Sequence, residues 1–204
     1  MKAYIINGDS AYRSLFTRIG CAITNNLSEA NLAVFTGGAD VSPHLYGQEM
    51  HPRTFNDTLR DEQERKLFNE CKERNIPMVG ICRGGQFLNV MNGGAMFQHV
   101  TKHAGPDHWI TDARTGETVW VTSTHHQMFK PAPEAVLVAF STLRGDREWV
   151  EEGIIKLEIS ETDYEVVFYP QTRALCFQPH PEYTGDQYLG MERYFQSLIA
   201  EFLM

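Results

Sequence analysis

The sequence predicts an α/β fold: a mostly parallel central sheet flanked by helices, with an antiparallel extension. Three observations carry that prediction. Apolar strands alternate with helices through the first half, strand-like runs follow one another in the second half, and neither a repeat nor a low-complexity tract interrupts them. Parallel strands need helical crossovers whereas antiparallel strands need only turns, so this order places the parallel part first.

Taken in order, Lys2 to Ile6 reads as a first strand, Ser10 to Ile19 as a helix, and CAIT, opened by Cys21, as a short strand. Leu32 to Thr36 is a buried strand ending at Gly37 and Gly38. Asp57 is placed to cap a helix through LRDEQERKLFNECKERN, whose many charges give it a solvated face. IPMVGI follows as a short apolar strand, and a helix from Gly84 to Met91 sets Gly84 with Leu88, and Phe87 with Met91, at four-residue spacing. ETVWVTS, AVLVAFS, GIIKLEI, YEVVFY and ALCFQ are extended runs. A final helix aligns Tyr188, Met191, Phe195, Leu198 and Phe202 on one stripe.

The 204 residues, 42% hydrophobic and 22% charged, suffice for one sizeable core and predict one domain over residues 1–204. A net charge of -8 supplies no electrostatic footprint for nucleic acid or an anionic membrane. The apolar run in MKAYIINGDS breaks at Asn7, Gly8 and Asp9, too early for a signal-peptide core or a membrane span. A cytoplasmic setting and a small-molecule partner are expected. Cys21, Cys71, Cys82 and Cys176 form no CxxC pair, so they read as free thiols rather than a disulfide framework or a zinc site.

Ligands of such a sheet bind beyond the carboxyl ends of its strands, where Gly37-Gly38, Cys82 and QPHPEY would lie. Gly80-Ile81-Cys82-Arg83-Gly84, between a strand and a helix, has the G-x-nucleophile-x-G form of an elbow that lifts a nucleophile above the sheet. A helix amino terminus and a nearby imidazolium both favour the thiolate. His180 and Glu182, two apart in a stretch where Pro179 and Pro181 disfavour helix, leave the chain on one face. His180 is then the candidate proton shuttle and Glu182 its orienting group. The backbone N–H groups of Gly38 and Arg83 are candidate oxyanion donors. His99, His103 and His108 lie in QHVTKHAGPDHW, but Gly105 and Pro106 interrupt a helix there and no carboxylate cluster completes a ligand set. No metal and no organic cofactor is expected, because protein groups supply nucleophile, proton shuttle and oxyanion donors.

GICRGGQFLNVMNGG together with QPHPE resembles the class I glutamine amidotransferase superfamily, which implies a flavodoxin-like fold and a Cys, His, Glu triad in this chain order. FTGGADVSPHLYGQ, TLRDEQE, the arginine of GICRG and VTSTHHQ resemble its γ-glutamyl-γ-aminobutyrate hydrolase group, peptidase C26, over about Thr36 to Glu182. The resemblance implies Cys82 as nucleophile, His180 and Glu182 as the rest of the triad, and Gly38 with Arg83 as oxyanion donors. It places Gly37 and Gln86 at the γ-glutamyl moiety, and Thr124, His125 and His126 at its α-amino and α-carboxylate end. The two histidines read equally as a hydrogen-bonding corner, and Arg60 and Arg83 as carboxylate binders or as a surface or internal ion pair. One departure stands out: Pro179 occupies the position before the histidine that is usually aromatic in the family. The implied activity is hydrolysis of a γ-glutamyl amide through a thioester on Cys82. Two other readings are a glutaminase subunit feeding a separate synthetase or amidoligase and a non-catalytic binding domain. The partners implied are glutamine or a γ-glutamyl substrate, such a synthetase, or a second copy of the chain.

Overall fold

Each of the first two α-helices starts where a side-chain oxygen accepts one of the N–H groups that a helix leaves unpaired. The computed structural model describes residues 1–143, 145–159 and 161–204. Strand β1 (Lys2–Ile6) leads to α1 (Ser10–Arg18), where Asp9 accepts the Ala11 N–H at 2.8 Å, and then to β2 (Ala22–Thr24) and β3 (Leu32–Phe35). Asp57 accepts the Arg60 N–H at 3.1 Å to open α2 (Thr58–Glu73), before β4 (Met78–Ile81) and α3 (Arg83–Met91). The second half runs through β5 (Ala95–Phe97), β6 (His99–Val100), β7 (His108–Asp112), β8 (Thr118–Val121) and β9 (Met128–Lys130). It continues with β10 (Val136–Ser141), β11 (Asp146–Glu151), β12 (Ile154–Ile159), β13 (Asp163–Tyr169) and β14 (Ala174–Phe177), and closes with α4 (Leu189–Phe202).

Among the described residues one sheet has the order β2-β1-β3-β4-β14-β13-β10-β7-β8. The strands from β2 to β14 pair in parallel, and those from β14 to β8 pair antiparallel. The α/β class and the antiparallel extension are therefore both present. Helices α1 and α4 cover one face, with Leu15 and Phe16 packed among Phe177, Met191 and Phe195. Helices α2 and α3 cover the other, where Phe68, Cys71, Phe87 and Leu88 meet Phe35, Met78 and Cys176. Strands β3, β4 and β14 are buried along their whole length, which is why they read as unbroken apolar runs.

One expected strand joins a different sheet. GIIKLEI becomes β12, which among the described residues pairs only with β11 in a small sheet completed by β6, and Ile154, Ile155, Leu157 and Ile159 stay exposed. Its β-branched residues favour extension, but no layer of the described residues covers either face. Among the described residues no helix is long and apolar enough to cross a membrane. What matters for chemistry is that β3, β4 and β14 are neighbours, so the segments after them emerge side by side: Thr36 to Gly38, Cys82, and Gln178 to Glu182.

Candidate active site

Cys82 sits between β4 and α3 with φ 51° and ψ -115°, a conformation that costs a non-glycine residue about 1–3 kcal/mol and persists only where its surroundings impose it. They do so here. The Cys82 N–H donates to the Phe177 carbonyl at 2.8 Å, and its carbonyl accepts the Gln86 N–H at 3.0 Å. A methyl group at Gly80 would run into the Gly84–Gly85 backbone, and one at Gly84 into the Phe35 carbonyl. The two glycines of the elbow thus let α3 press against β3 and β4, with the thiol at its amino end.

His180 reaches the same place from the end of β14. Its N–H donates to Thr122 Oγ1 at 2.7 Å, and its Nδ1 lies 2.6 Å from Glu182 Oε1. Gly37 is the spacer between ring and thiol: a side-chain carbon there would lie 3.0 Å from His180 Cε1 and 3.8 Å from Cys82 Cβ. Burial opposes charge on the imidazole, but the charge and hydrogen bond of Cys82, followed by those of Glu182, outweigh it and raise the pKa to about 11. Pro179 therefore does not hold histidine and glutamate apart.

Tyr12 is a site residue that sequence reasoning missed, because in α1 it reads as one more apolar position. Its hydroxyl accepts the Gly37 N–H at 3.0 Å, and burial together with the Glu182 charge pushes the phenol far above its ordinary range. Tyr12→Phe removes a net contribution of about 1 kcal/mol from this corner. Turnover is expected to fall about fivefold with KM unchanged in steady-state assays; a change confined to KM would contradict this placement.

The alternatives left open for Arg60 and Arg83 resolve as an internal network. The Arg83 guanidinium is buried, ion-pairs with both Asp61 and Glu64 of α2, and lies 5.0 Å from the Phe87 ring centroid. Asp61 Oδ2 accepts the Ser42 N–H at 2.9 Å, while Glu64 Oε1 accepts Asn7 Nδ2 at 2.9 Å and Arg60 Nε at 2.7 Å. Arg60 in turn donates to the carbonyls of Gly37 at 2.9 Å and Thr36 at 2.8 Å. TLRDEQE is thus the strut that joins the elbow to the Gly37-Gly38 turn.

A cleft of about 170 Å³ opens over Cys82, walled by Gly38, Asp40, Phe55, Gln86, Thr124 and His126. A larger hollow of about 530 Å³, near Met1, Arg74, Arg173 and Met204, lies at the amino ends of the same strands, away from the thiol and the imidazole. Gly37, expected at the substrate, is not among the residues that wall the cleft, whereas His125 is, with its ring nitrogens engaged elsewhere. The Gly37 N–H and carbonyl are both bonded within the protein, so Gly37 contributes space rather than a hydrogen bond. His125 turns its ring inward, with Nδ1 2.9 Å from the Gln127 carbonyl and Nε2 towards Glu165, and burial holds it neutral with a pKa of about 3. Gln86 does line the cleft, its Nε2 donating to the Gln127 carbonyl at 3.2 Å and to Gln178 Oε1 at 3.1 Å. Thr124 stands exposed on the rim. His126 Nε2 lies 3.2 Å from Asp40 Oδ1, and that hydrogen bond raises its pKa. Asp40 was legible in FTGGADV but not singled out.

The histidine run also differs from expectation. A carboxylate does complete it, delivered by β13: donor atoms of His103, His108 and Glu165 lie within 4.8 Å of one another. His99 stands elsewhere, its ring stacked on His51 at 6.0 Å.

A family model described as peptidase C26 matches residues 21–142, more than half of the chain; the match takes in Gly38, Cys82 and His126 but ends before His180. The chain is 34% identical over 152 residues to Rv2859c of Mycobacterium tuberculosis, whose name assigns it provisionally to the glutamine amidotransferases, covering 65% of this chain and 48% of that protein. It is 31% identical over 110 residues to the carbamoyl phosphate synthase small chain of Ralstonia nicotianae, covering 54% of this chain and 25% of that one. These matches span half or less of each relative's length. The solved structure of PurLQS from Thermotoga maritima shares the fold, with a TM-score of 0.66 over 98% of this chain and 97% of that one at 16% identity.

Proposed function

The chain belongs to the peptidase C26 family of glutamine amidotransferase-like proteins, and we propose that it hydrolyses γ-glutamyl amide bonds through a γ-glutamyl thioester on Cys82. The observation that carries this reading is the meeting of Cys82 with a glutamate-backed His180 at a cleft of about 170 Å³, room for one amino-acid-sized acyl group. The Cys82 thiolate attacks the amide carbon while His180 holds its proton. The oxyanion accepts the N–H groups of Gly38 and Arg83; the latter opens α3 and so has no partner within the helix. Collapse expels the amine, protonated by His180, and leaves the thioester. Water then gives its proton to the neutral imidazole as it attacks, releasing glutamate and restoring the thiolate–imidazolium pair. The Asp40–His126 pair offers a carboxylate to the α-ammonium and an imidazole hydrogen-bond donor to the α-carboxylate of the substrate.

The likeness to a carbamoyl phosphate synthase small chain favours a second reading, a glutaminase that hands ammonia to a synthetase or amidoligase. One experiment separates the two: glutamine and a panel of γ-glutamyl amines are offered to the purified protein, and Cys82 is followed by mass spectrometry for an acyl adduct. An adduct from γ-glutamyl amines but not from glutamine selects the hydrolase. An adduct from glutamine, with turnover that rises only when a synthetase is added, selects the subunit. No adduct from any of them overturns both.

A further inference from the structure

We propose that His103, His108, His125 and Glu165 form a closed structural site for one divalent transition-metal ion, zinc by the chemistry of the donors, beneath the wall of the active-site cleft. Three imidazoles and one carboxylate are a donor set that suits zinc, and structural zinc sites use four protein ligands with no open position. All four side chains are buried. His108 Nε2 lies 2.9 Å and His103 Nδ1 3.5 Å from Glu165 Oε1, and His125 Nε2 lies 3.9 Å from Glu165 Oε2. Zinc bonds of about 2.0–2.2 Å set tetrahedral donors roughly 3.3–3.6 Å apart; donor atoms of His103, His108 and Glu165 lie within 4.8 Å of one another, and His125 approaches the other Glu165 oxygen as the fourth ligand.

The hydrogen bonds around the cluster leave a deficit that a cation would fill. His103 Nε2 is 2.9 Å from Asp163 Oδ2 and His125 Nδ1 is 2.9 Å from the Gln127 carbonyl, so the outer nitrogen of each ring has a hydrogen-bond partner. The inner nitrogens, His103 Nδ1 and His125 Nε2, face the Glu165 carboxylate, and neither they nor Glu165 Oε2 has a hydrogen-bond partner among the described residues. Buried polar atoms without partners cost free energy, and a metal ion that takes them as ligands removes that cost. Asp163 has Arg147 as its own counter-ion, whereas among the described residues no lysine or arginine pairs with Glu165. Coordination through His108 Nε2 places the proton of that ring on Nδ1, which has no other partner among the described residues. An outer carboxylate on one ligand and a backbone carbonyl on another are the supports that metal-bound histidines ordinarily have.

The ion would tie together the loop before β7, β7 itself, β13 and the corner that carries His126 and Gln127 into the cleft. The inference stands whether or not the hydrolase reading does. Cys82→Ser protein, in which that thiol cannot compete for metal, is stripped by a chelator and titrated with Zn²⁺ alone and with Co²⁺ alone. Expected are uptake of one equivalent, a rise in Tm with Zn²⁺, and the visible absorption of tetrahedral Co²⁺. Unfolding on stripping that Zn²⁺ reverses supports the site equally. His103→Gln in the same background abolishes the Co²⁺ band. Asp163→Asn, which removes no ligand but changes the partner of His103 Nε2 and of Arg147, weakens binding by about 10- to 100-fold and decides the matter if the ligand variant does not fold. No uptake, or a Co²⁺ spectrum and affinity that Asp163→Asn leaves unchanged, overturns the proposal.

Discussion

Cys82→Ala protein is expected to fold, and to turn over a γ-glutamyl amide about 10⁴- to 10⁶-fold more slowly than the wild type, the loss seen when a triad nucleophile is removed and only binding and oxyanion donors remain. The same variant carries an independent readout. The charge and hydrogen bond of Cys82 are the leading influences that raise His180, ahead of Glu182. In the wild type the imidazolium should persist through neutral pH and lose its proton only as pH rises through about 11. Because the folded pKa is raised, the stability it confers is complete below the unfolded value of about 6.5 and lost through that upper window. Without the Cys82 side chain, the influences that raise His180 are those of Glu182, and the ring should titrate nearer its ordinary range. Nuclear magnetic resonance of the His180 ring across pH measures both states. Undiminished turnover would place the nucleophile elsewhere, and identical titration curves would mean that thiol and imidazole are not partners.

The parts of the site that were legible in the sequence are those whose physical requirement is local. The elbow needs small residues on both sides of Cys82 because α3 touches the backbone of β3 and β4, and that requirement writes itself as Gly80 and Gly84. His180 and Glu182 were legible because a two-residue spacing in a proline-flanked stretch fixes a common face. The charged strut was not. LRDEQERKLF reads as a solvated helix face, yet Asp61 and Glu64 are buried because Arg83, about twenty positions away, turns beneath the elbow to meet them. The histidine cluster was hidden for the same reason, since Glu165 lies 57 positions beyond His108 and no run of sequence shows a carboxylate approaching. Of the strands that were missed, β5, β6 and β9 have two or three residues, too few to display an alternation, whereas β7 (HWITD) and β11 (DREWVE) are longer but carry more polar and charged residues than apolar ones.

That strut is where the largest loss of stability is expected. Arg83→Met retains much of the volume of the side chain and its contact with Phe87, but leaves the Asp61 and Glu64 carboxylates facing one another without their shared counter-ion. Breaking a buried ion pair from one side costs about 3–5 kcal/mol, which for a chain of this size lowers Tm by roughly 6–20 °C. Arg83→Lys should recover only part of that, because a single ammonium cannot meet two carboxylates with the fork of a guanidinium. Replacing all three groups with apolar residues is often neutral for an isolated pair, but here it should not restore the wild type. Asp61 also holds the Ser42 N–H, and Glu64 holds Asn7 and, through Arg60, the carbonyls of Thr36 and Gly37. The network therefore acts on the elbow and the glycine turn together, and scanning calorimetry of the single, conservative and triple variants distinguishes it from a dispensable pair. A triple variant as stable as the wild type, with turnover intact, would reduce the strut to packing. A triple variant that regains Tm but not turnover would show that these charges hold Gly38 and Cys82 in register.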